Sequence, residues 1–410
     1  MRKSLEGPHT ASRWRIENRL FTERRLLWGA TAAAVSYALG LAWKFSRDEW
    51  PLNLTSRSCT DFIWIWLSSK FGIAGTLAQA YDYSVFAAAA TGVPGARNCV
   101  LQHFDYPPTL LFFTYPVGLM PYSVAFGVWM TTTLLLYLAA VYAIIPRPAA
   151  VIAALTTYPV IFNVLMGHNG FLTAALIGLT LVFIEWRPWL SGIFLGLLTY
   201  KPQFGILFPF ALLASRDWRV ILSASATSVI FGLAAAIAFG YQAWPSFIDA
   251  LVDRASSLNE DPTLNLPLVS VLGFLRAEGV SVRTAWPVQL AVTAIVAATV
   301  CALWARPFPY SLKAATLAIG SVLAAPHAIG YDLCILTIAA AFLVKDGLAR
   351  GFLPGERAVM LMCWLGLILL TGPIPAIICI VLLMLVVRRV ALCGREAITA
   401  EPPAALFRQR

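Results

Sequence analysis

The chain alternates long apolar runs with short polar interruptions, and the runs predict helices that cross a membrane. About 20 apolar residues are needed to cross a hydrocarbon core of roughly 30 Å, and in lipid only helices or closed barrels satisfy the backbone hydrogen bonds. The apolar runs are continuous rather than alternating, which indicates helices. The predicted helices are 26–44, 123–145, 149–166, 169–185, 189–200, 203–214, 219–240, 286–304, 310–325, 331–345, 357–371 and 373–388.

These runs predict an all-α fold, a polytopic membrane protein with about 10–12 transmembrane helices. Residues 26–390 form a single membrane domain in this interpretation, between a basic tail at 1–25 and a C-terminal tail at 391–410. The first apolar run is predicted to be a retained anchor, because no cleavage-site pattern follows it.

The distribution of positive charge predicts which loops face the cytoplasm. The stretch 189–215 could form one tilted helix, but Arg216 and Arg219 would then face outward, against the positive-inside rule. A break at Lys201-Pro202 places most of the 30 Lys and Arg residues inside, since proline removes an intrahelical hydrogen bond. This topology predicts an inner (plasma) membrane protein with both termini in the cytoplasm and two long outer loops, 46–107 and 241–285.

The first outer loop contains apolar segments that are too short to span. Residues 61–71 and 75–86 are rich in aromatic and aliphatic side chains and are interrupted by glycine, which predicts helices lying on the outer interface. Residues 109–120, bounded by prolines, are expected to dip into the bilayer.

Composition excludes the main classes of soluble protein. Hydrophobic residues make up 59% of the chain and charged residues 12%, about half the usual charged fraction. The net charge of +10 does not indicate nucleic acid as a partner, because the basic residues are scattered between apolar runs. The seven cysteines include no CxxC pair, so no metal cluster is indicated. Whether Cys59 and Cys99 of the first outer loop form a disulfide is left open.

The predicted topology gathers reactive polar residues at the outer interface. They are Asp61, His103, Asp105, His168, Lys201, Gln203, His327 and Asp332. Their convergence from distant parts of the sequence predicts a functional site on the extracytoplasmic side of the membrane.

Three of these residues allow two interpretations each. Lys201 has no other charge in either flank, so its ammonium either binds an anion such as a lipid phosphate or snorkels from a helix end. Asp61 precedes an aromatic segment, where it either caps a helix or accepts a proton from a sugar hydroxyl. His327 stands in a tight turn, where it is either a hydrogen-bonded surface group or a substrate ligand.

A series of short motifs follows in a fixed order over about residues 60–333. They are Asp61-Phe62, Gly75, Tyr81-Asp82, Tyr106-Pro107-Pro108, Pro116, Leu119-Met120-Pro121, Trp129, Gly167-His168-Asn169, Ser191-Gly192, Gly196, Lys201-Pro202, Arg216-Asp217-Trp218-Arg219, Pro326-His327 and Tyr331-Asp332. Together they resemble glycosyltransferase family 87, the polyprenol-phosphate-mannose-dependent mannosyltransferases of the GT-C superfamily. His168 departs from the family, which more often has glutamine there.

The resemblance implies a GT-C-like fold with interfacial helices in the first outer loop, and it implies roles for particular residues. Asp61 would be the catalytic base, and Lys201 and His327 would lie near the donor phosphate. The possible substrate contacts are Asp82, His103, Asp105, Tyr106, His168, Gln203, Tyr331 and Asp332.

The predicted function is transfer of a hexose, mannose according to the resemblance, from a polyprenyl phosphate sugar to a lipid or glycan acceptor outside the cytoplasm. We expect a metal-independent reaction without a cofactor, because the outer carboxylates Asp61, Asp82 and Asp105 are far apart in sequence. The chain also lacks a Rossmann fingerprint or P-loop, which argues against a nucleotide-sugar donor. Two alternatives are a secondary transporter with broken half-helices, although no second broken pair is predicted, and a non-catalytic protein that binds lipid-linked sugar.

Overall fold

The computed structural model describes residues 60–93, 104–260, 268–368 and 372–399, together with scattered helical positions between 25 and 40. Within these ranges every regular element is a helix, apart from an isolated antiparallel bridge between Leu268 and Ile329. This confirms the predicted all-α class. His103, Cys59, Cys99 and most of the predicted first helix lie outside the described residues.

Between residues 60 and 399 the described chain contains seventeen α-helices. They are α1 (Phe62–Ile73), α2 (Tyr83–Thr91), α3 (Leu111–Gly118), α4 (Tyr122–Ile144), α5 (Pro148–Leu155), α6 (Tyr158–Met166), α7 (Gly170–Phe183), α8 (Pro188–Leu197), α9 (Phe208–Ser215), α10 (Trp218–Phe239), α11 (Ala243–Glu260), α12 (Val271–Ala277), α13 (Val282–Trp304), α14 (Tyr310–Ala324), α15 (Cys334–Arg350), α16 (Glu356–Gly366) and α17 (Ile374–Thr399). Short 3-10 turns add Leu77–Tyr81, Pro108–Leu110, Leu198–Tyr200, Pro202–Phe204 and Gly330–Leu333.

Several helices are long and apolar enough to cross a membrane. Four of the described helices meet this condition: Tyr122–Ile144, Trp218–Phe239, Val282–Trp304 and Ile374–Cys393. The bent pair α5 and α6 forms a fifth candidate. Shorter apolar helices of 10–17 residues, among them α7 and α14, would have to make the remaining predicted crossings.

The core is built around two helices that the other helices enclose. Most residues of α7 and α14 are buried, including small residues such as Ala174, Gly178 and Ala318. Helix α7 packs against α4, α8 and α15, while α14 packs against α13, α15 and α17. By contrast, α10 is largely exposed along its length, as expected for a helix whose outer face meets lipid.

Two apolar runs of the described chain are broken next to a proline. The predicted break at Lys201-Pro202 is present, with 3-10 turns on either side of Lys201. The predicted single helix 149–166 is wrong, because the chain bends by 59° between α5 and α6, where Pro159 lies in the first turn of the new helix. The hydroxyl of Thr156 donates to the carbonyl of Ala153 at 2.7 Å and that of Thr157 to Ala154 at 3.1 Å, so carbonyls at the break find donors. The prediction of a single broken pair is therefore also wrong.

The first outer loop differs from the prediction at its second segment. The predicted helix 75–86 is divided into the 3-10 turn Leu77–Tyr81 and helix α2. The division falls at Asp82, whose carboxylate accepts hydrogen bonds from the backbone N–H groups of Ser84 and Val85 and so starts a new helix.

The second outer loop contains the helices α11 and α12, where the sequence predicted only a loop. In α11 the side chains of Ala243, Phe247 and Ala250 are buried, while Asp249 is exposed. This spacing places one apolar stripe against the 3-10 turn Leu77–Tyr81, which α11 contacts. The helix therefore ties the second outer loop to the first.

A buried ionic cluster joins the last three helices. The guanidinium of Arg389 on α17 donates to Asp346 of α15 and Glu356 of α16 at 2.5 Å each, and Arg350 bonds the same aspartate at 2.6 Å. Asp346, Glu356 and Arg389 are each at most 4% exposed. With this anchor, α17 continues to Thr399 rather than ending at the predicted residue 388.

Candidate active site

The break after α8 places Lys201 in a buried ion pair. Its ammonium donates to the carboxylate of Asp332 at 2.6 Å and to the side-chain oxygen of Asn169 at 3.0 Å. The ring of Tyr331 lies 5.0 Å from the same ammonium. Lys201 is 3% exposed and Asp332 is 1% exposed, so the two charges compensate each other inside the protein. This geometry excludes the snorkelling interpretation of Lys201.

The turn between α6 and α7 brings His168 and Asn169 to this ion pair. Gly167 adopts a left-handed conformation with φ of +68°, and a β-carbon there would lie 2.7 Å from the β-carbon of Phe62. A β-carbon on Gly170 would collide with the backbone carbonyl of Tyr331. Both glycines are therefore required by the close approach of the turn to its neighbours.

Two tyrosines surround His168. Its Nε2 atom lies 3.3 Å from the hydroxyl of Tyr106 and 3.2 Å from that of Tyr331. The imidazole also stacks on the ring of Tyr331, with centroids 4.0 Å apart and planes 11° apart. Residues from the first outer loop, the α6–α7 turn and the α14–α15 turn thus form one polar and aromatic cluster.

Asp61 stands at the N-cap position of α1 but does not cap the helix. Its side chain accepts no capping hydrogen bond, so the cap interpretation fails for Asp61. The carboxylate lies close enough to Tyr106, Tyr122 and Tyr331 to act electrostatically on each hydroxyl. Burial raises the pKa of Asp61 from 3.8 to about 6. No hydrogen bond of this carboxylate is seen among the described residues, and a partly buried carboxylate of this kind is suited to accept a proton.

A second group of charges lies beside this cluster, around Arg254 of α11. The Nε atom of Arg254 is 3.7 Å from the carboxylate of Asp105, the residue before Tyr106. Burial raises the pKa of Asp105 to about 6, and the positive charge of Arg254 opposes this increase. Burial and the same guanidinium both lower the pKa of His327 from 6.5. Arg254 is therefore close enough to act electrostatically on both Asp105 and His327.

The turn that carries His327 is held by the residues just before α12, in the segment predicted to be the second outer loop. The backbone N–H of Val269 donates to the carbonyl of Ala328 at 2.8 Å. The hydroxyl of Ser270 donates to the carbonyl of Pro326 at 2.5 Å and caps α12. These bonds fix His327 from both sides.

The remaining predicted residues make fewer contacts with the cluster around His168 and Lys201. Gln203 is partly buried in the 3-10 turn after Lys201, and no hydrogen bond of its side chain is seen among the described residues. Asp82 is exposed and caps α2, so we leave it out of the proposed site. In the described part of the chain no group of three His, Cys, Asp or Glu side chains is arranged to hold a metal ion.

Sequence reasoning missed two residues of the site, Asn169 and Arg254. Asn169 stands between His168 and Gly170, and its place in a glycine-flanked turn was the available signal. Arg254 is a basic residue in a segment predicted to be outside the cytoplasm, where the positive-inside rule disfavours it. The presence of Arg254 in that segment, against the positive-inside rule, was the available signal for a functional cation.

A helical membrane protein that brings a carboxylate, phenol hydroxyls and two largely buried cations together has the features of a membrane enzyme acting on a polar substrate. The profile of glycosyltransferase family 87 matches residues 104–326, more than half of the chain. The chain belongs to glycosyltransferase family 87 and is a membrane glycosyltransferase. Neither a curated protein nor a solved structure matches it.

Proposed function

We propose that the protein transfers a hexose, in the first place mannose, from a polyprenyl phosphate sugar to a hydroxyl group of a lipid or glycan acceptor. The reaction takes place on the extracytoplasmic side of the plasma membrane, with both termini in the cytoplasm. The observation that carries the proposal is the carboxylate of Asp61, which occupies an N-cap position without capping and faces Tyr106, Tyr122 and Tyr331.

Asp61 is the proposed general base. The acceptor oxygen attacks the anomeric carbon of the sugar, the bond from that carbon to the phosphate oxygen breaks, and the acceptor proton moves to Asp61. Polyprenyl monophosphate leaves with the bonding electron pair. The pKa of about 6 makes Asp61 a stronger base than an exposed aspartate while leaving it mostly ionised at neutral pH.

Cationic and neutral donors around the cluster are proposed to hold the departing phosphate. His327 borders the guanidinium of Arg254 and supplies a hydrogen bond to a phosphate oxygen. Lys201 contributes through a position already fixed by Asp332 and Asn169, so a direct phosphate contact requires the ammonium to share its bond with Asp332. The tyrosine hydroxyls of Tyr106 and Tyr331 are proposed contacts for the sugar.

A secondary transporter is the second candidate, because the described residues include two proline-broken helix pairs where one was predicted. Broken half-helices commonly surround transport sites. Membership in a glycosyltransferase family favours the enzyme. The two functions differ in a measurable way, since only the enzyme forms a new glycosidic bond.

The test is sugar transfer by the purified protein in detergent or liposomes. Labelled polyprenyl phosphate mannose, polyprenyl phosphate glucose and GDP-mannose are each supplied with a membrane-lipid extract as acceptor, and labelled product is separated by chromatography. We expect product from a polyprenyl phosphate sugar, its loss in Asp61→Asn, and its retention in Asp249→Asn, an exposed carboxylate on α11. Product from GDP-mannose alone would contradict the proposed donor class.

A further inference from the structure

A donor phosphate requires a cation whose charge is available, and Lys201 does not provide one directly. Its ammonium is buried against Asp332 at 2.6 Å, and a second hydrogen bond goes to Asn169 at 3.0 Å. Breaking a buried ion pair leaves an uncompensated charge, which is strongly unfavourable. Lys201 therefore acts mainly by holding Asp332 and Asn169 in position.

Arg254, unlike Lys201, has only a loose contact with its counter-ion. Its side chain is 13% exposed, and its Nε atom lies 3.7 Å from Asp105, beyond hydrogen-bond distance. No hydrogen bond of its guanidinium is found within the described ranges, although arginine has five N–H donors in a fork that matches phosphate oxygens. One carboxylate oxygen of Asp105 is likewise buried without a hydrogen-bond partner in that part of the structure. The Arg254–Asp105 pair is thus an incomplete ion pair.

The position of Arg254 connects it to the proposed reaction site. Asp105 adjoins Tyr106, whose hydroxyl reaches His168, and Arg254 also acts electrostatically on His327. Helix α11 holds Arg254 in place through Phe247, whose ring lies 5.7 Å from that of Tyr81, and Tyr81 in turn bonds the carbonyl of Tyr106 at 2.8 Å. The guanidinium is therefore anchored at the edge of the cluster.

We propose that Arg254 binds the phosphate of the lipid donor and that Asp105 is the counter-ion that the phosphate displaces. The inference rests on the proposed function and assigns its phosphate site. In the free protein Asp105 partly neutralises Arg254. On binding, two phosphate oxygens replace the carboxylate at the guanidinium, and Asp105 moves away from its single weak contact.

The test measures binding of a short-chain polyprenyl monophosphate, without sugar, to the purified protein. In Arg254→Gln the dissociation constant should rise roughly 10- to 100-fold, because a charge-assisted pair of hydrogen bonds is lost. Arg254→Lys keeps the charge but loses the fork, and should give an intermediate value. Arg283→Gln, an exposed arginine at the start of α13, is the matched control and should bind as the wild type does.

Asp105→Asn separates phosphate binding from a merely structural ion pair. If Asp105 competes with phosphate for Arg254, the variant should bind polyprenyl monophosphate roughly 2- to 5-fold more tightly. This gain should vanish in the Arg254→Gln, Asp105→Asn double variant, because the two residues act through one contact. A structural pair would instead be weakened by either substitution. Size-exclusion chromatography and thermal unfolding verify that each variant is folded.

The outcomes distinguish this inference from the proposed function. If the wild type transfers sugar from the polyprenyl phosphate donor but Arg254→Gln binds polyprenyl monophosphate within twofold of the wild type, only the assignment of Arg254 is wrong. If Asp105→Asn weakens binding as much as Arg254→Gln does, the displacement mechanism is wrong. If the wild type neither binds the monophosphate nor transfers sugar, the proposed donor class is wrong, and the assignment of Arg254 to the donor phosphate is then wrong as well. Should Arg254→Gln not fold, Arg254→Lys and Asp105→Asn still decide between the alternatives.

Discussion

Replacing Asp61 by asparagine removes proton acceptance while keeping the size of the side chain. The amide can still accept a hydrogen bond, and no capping bond is lost because Asp61 makes none. Stability should therefore change little, whereas the loss of a general base should lower kcat by roughly 10²- to 10⁴-fold. Binding of the lipid donor should survive, since Asp61 is not assigned to the phosphate.

The role of Asp61 as general base also predicts how kcat of the wild type depends on pH. A base works only when ionised, so kcat should fall as pH decreases through the pKa of Asp61, about 6. At pH 5 about 9% of such a group is ionised, against about 94% for an aspartate at its ordinary pKa of 3.8. We therefore expect roughly a tenfold loss of kcat between neutral pH and pH 5.

The assay is initial-rate transfer at saturating donor and acceptor between pH 4.5 and 8. Asp105 also has a pKa of about 6, so the profile is measured again in Asp105→Asn. The acidic decline should persist there, because saturating donor removes an effect that acts through phosphate binding. In Asp61→Asn the residual kcat should no longer decrease as the pH falls through about 6. Near-normal turnover by Asp61→Asn at saturating acceptor would refute the assignment and direct attention to Asp105.

Three further predictions concern the framework of the site. Lys201→Met should destabilise the protein by about 3–5 kcal/mol, because it leaves the carboxylate of Asp332 buried and unpaired. Turnover should fall together with the affinity for the donor. In thermal unfolding, the additional substitution Asp332→Leu should recover part of the lost stability. Arg389→Gln should lower the unfolding temperature through the distant ionic cluster, while the donor dissociation constant of the folded fraction remains that of the wild type. Gly167→Ala should be destabilising by about 1 kcal/mol or more, since its φ is +68° and the space is filled by Phe62, and normal stability would show that the turn can relax.

Local chemistry explains which parts of the fold were predicted from the sequence. The break at Lys201-Pro202 followed from the missing N–H of proline together with the charge of Arg216 and Arg219. The bend between α5 and α6 was missed although Thr156, Thr157 and Pro159 mark it, because no charged residue in 149–166 required a change of topology there.

The second outer loop was missed for a different reason. Helix α11 has a low overall hydrophobicity, so a search for apolar runs passes over it, although Ala243, Phe247 and Ala250 follow the spacing of an amphipathic helix. Arg254 was overlooked with it. The convergence of Lys201 and Asp332 at the outer interface was predicted from the topology, but their direct pairing was not, because it depends on how α8, α14 and α15 pack and not on any local pattern.

The bond between Lys201 and Asp332 joins residues 131 positions apart, and this separation has a consequence for biosynthesis. A ribosome that adds roughly 5–20 residues per second needs roughly 7–26 s to make the chain between them. During this interval the lysine already stands in the break between two inserting helices without its carboxylate, and a cation in a membrane segment is costly unless it has a partner. The ion pair can therefore close only late in synthesis. We expect a chain that ends shortly before residue 332, and so never acquires the carboxylate, to be degraded faster than the full-length chain in a pulse-chase measurement.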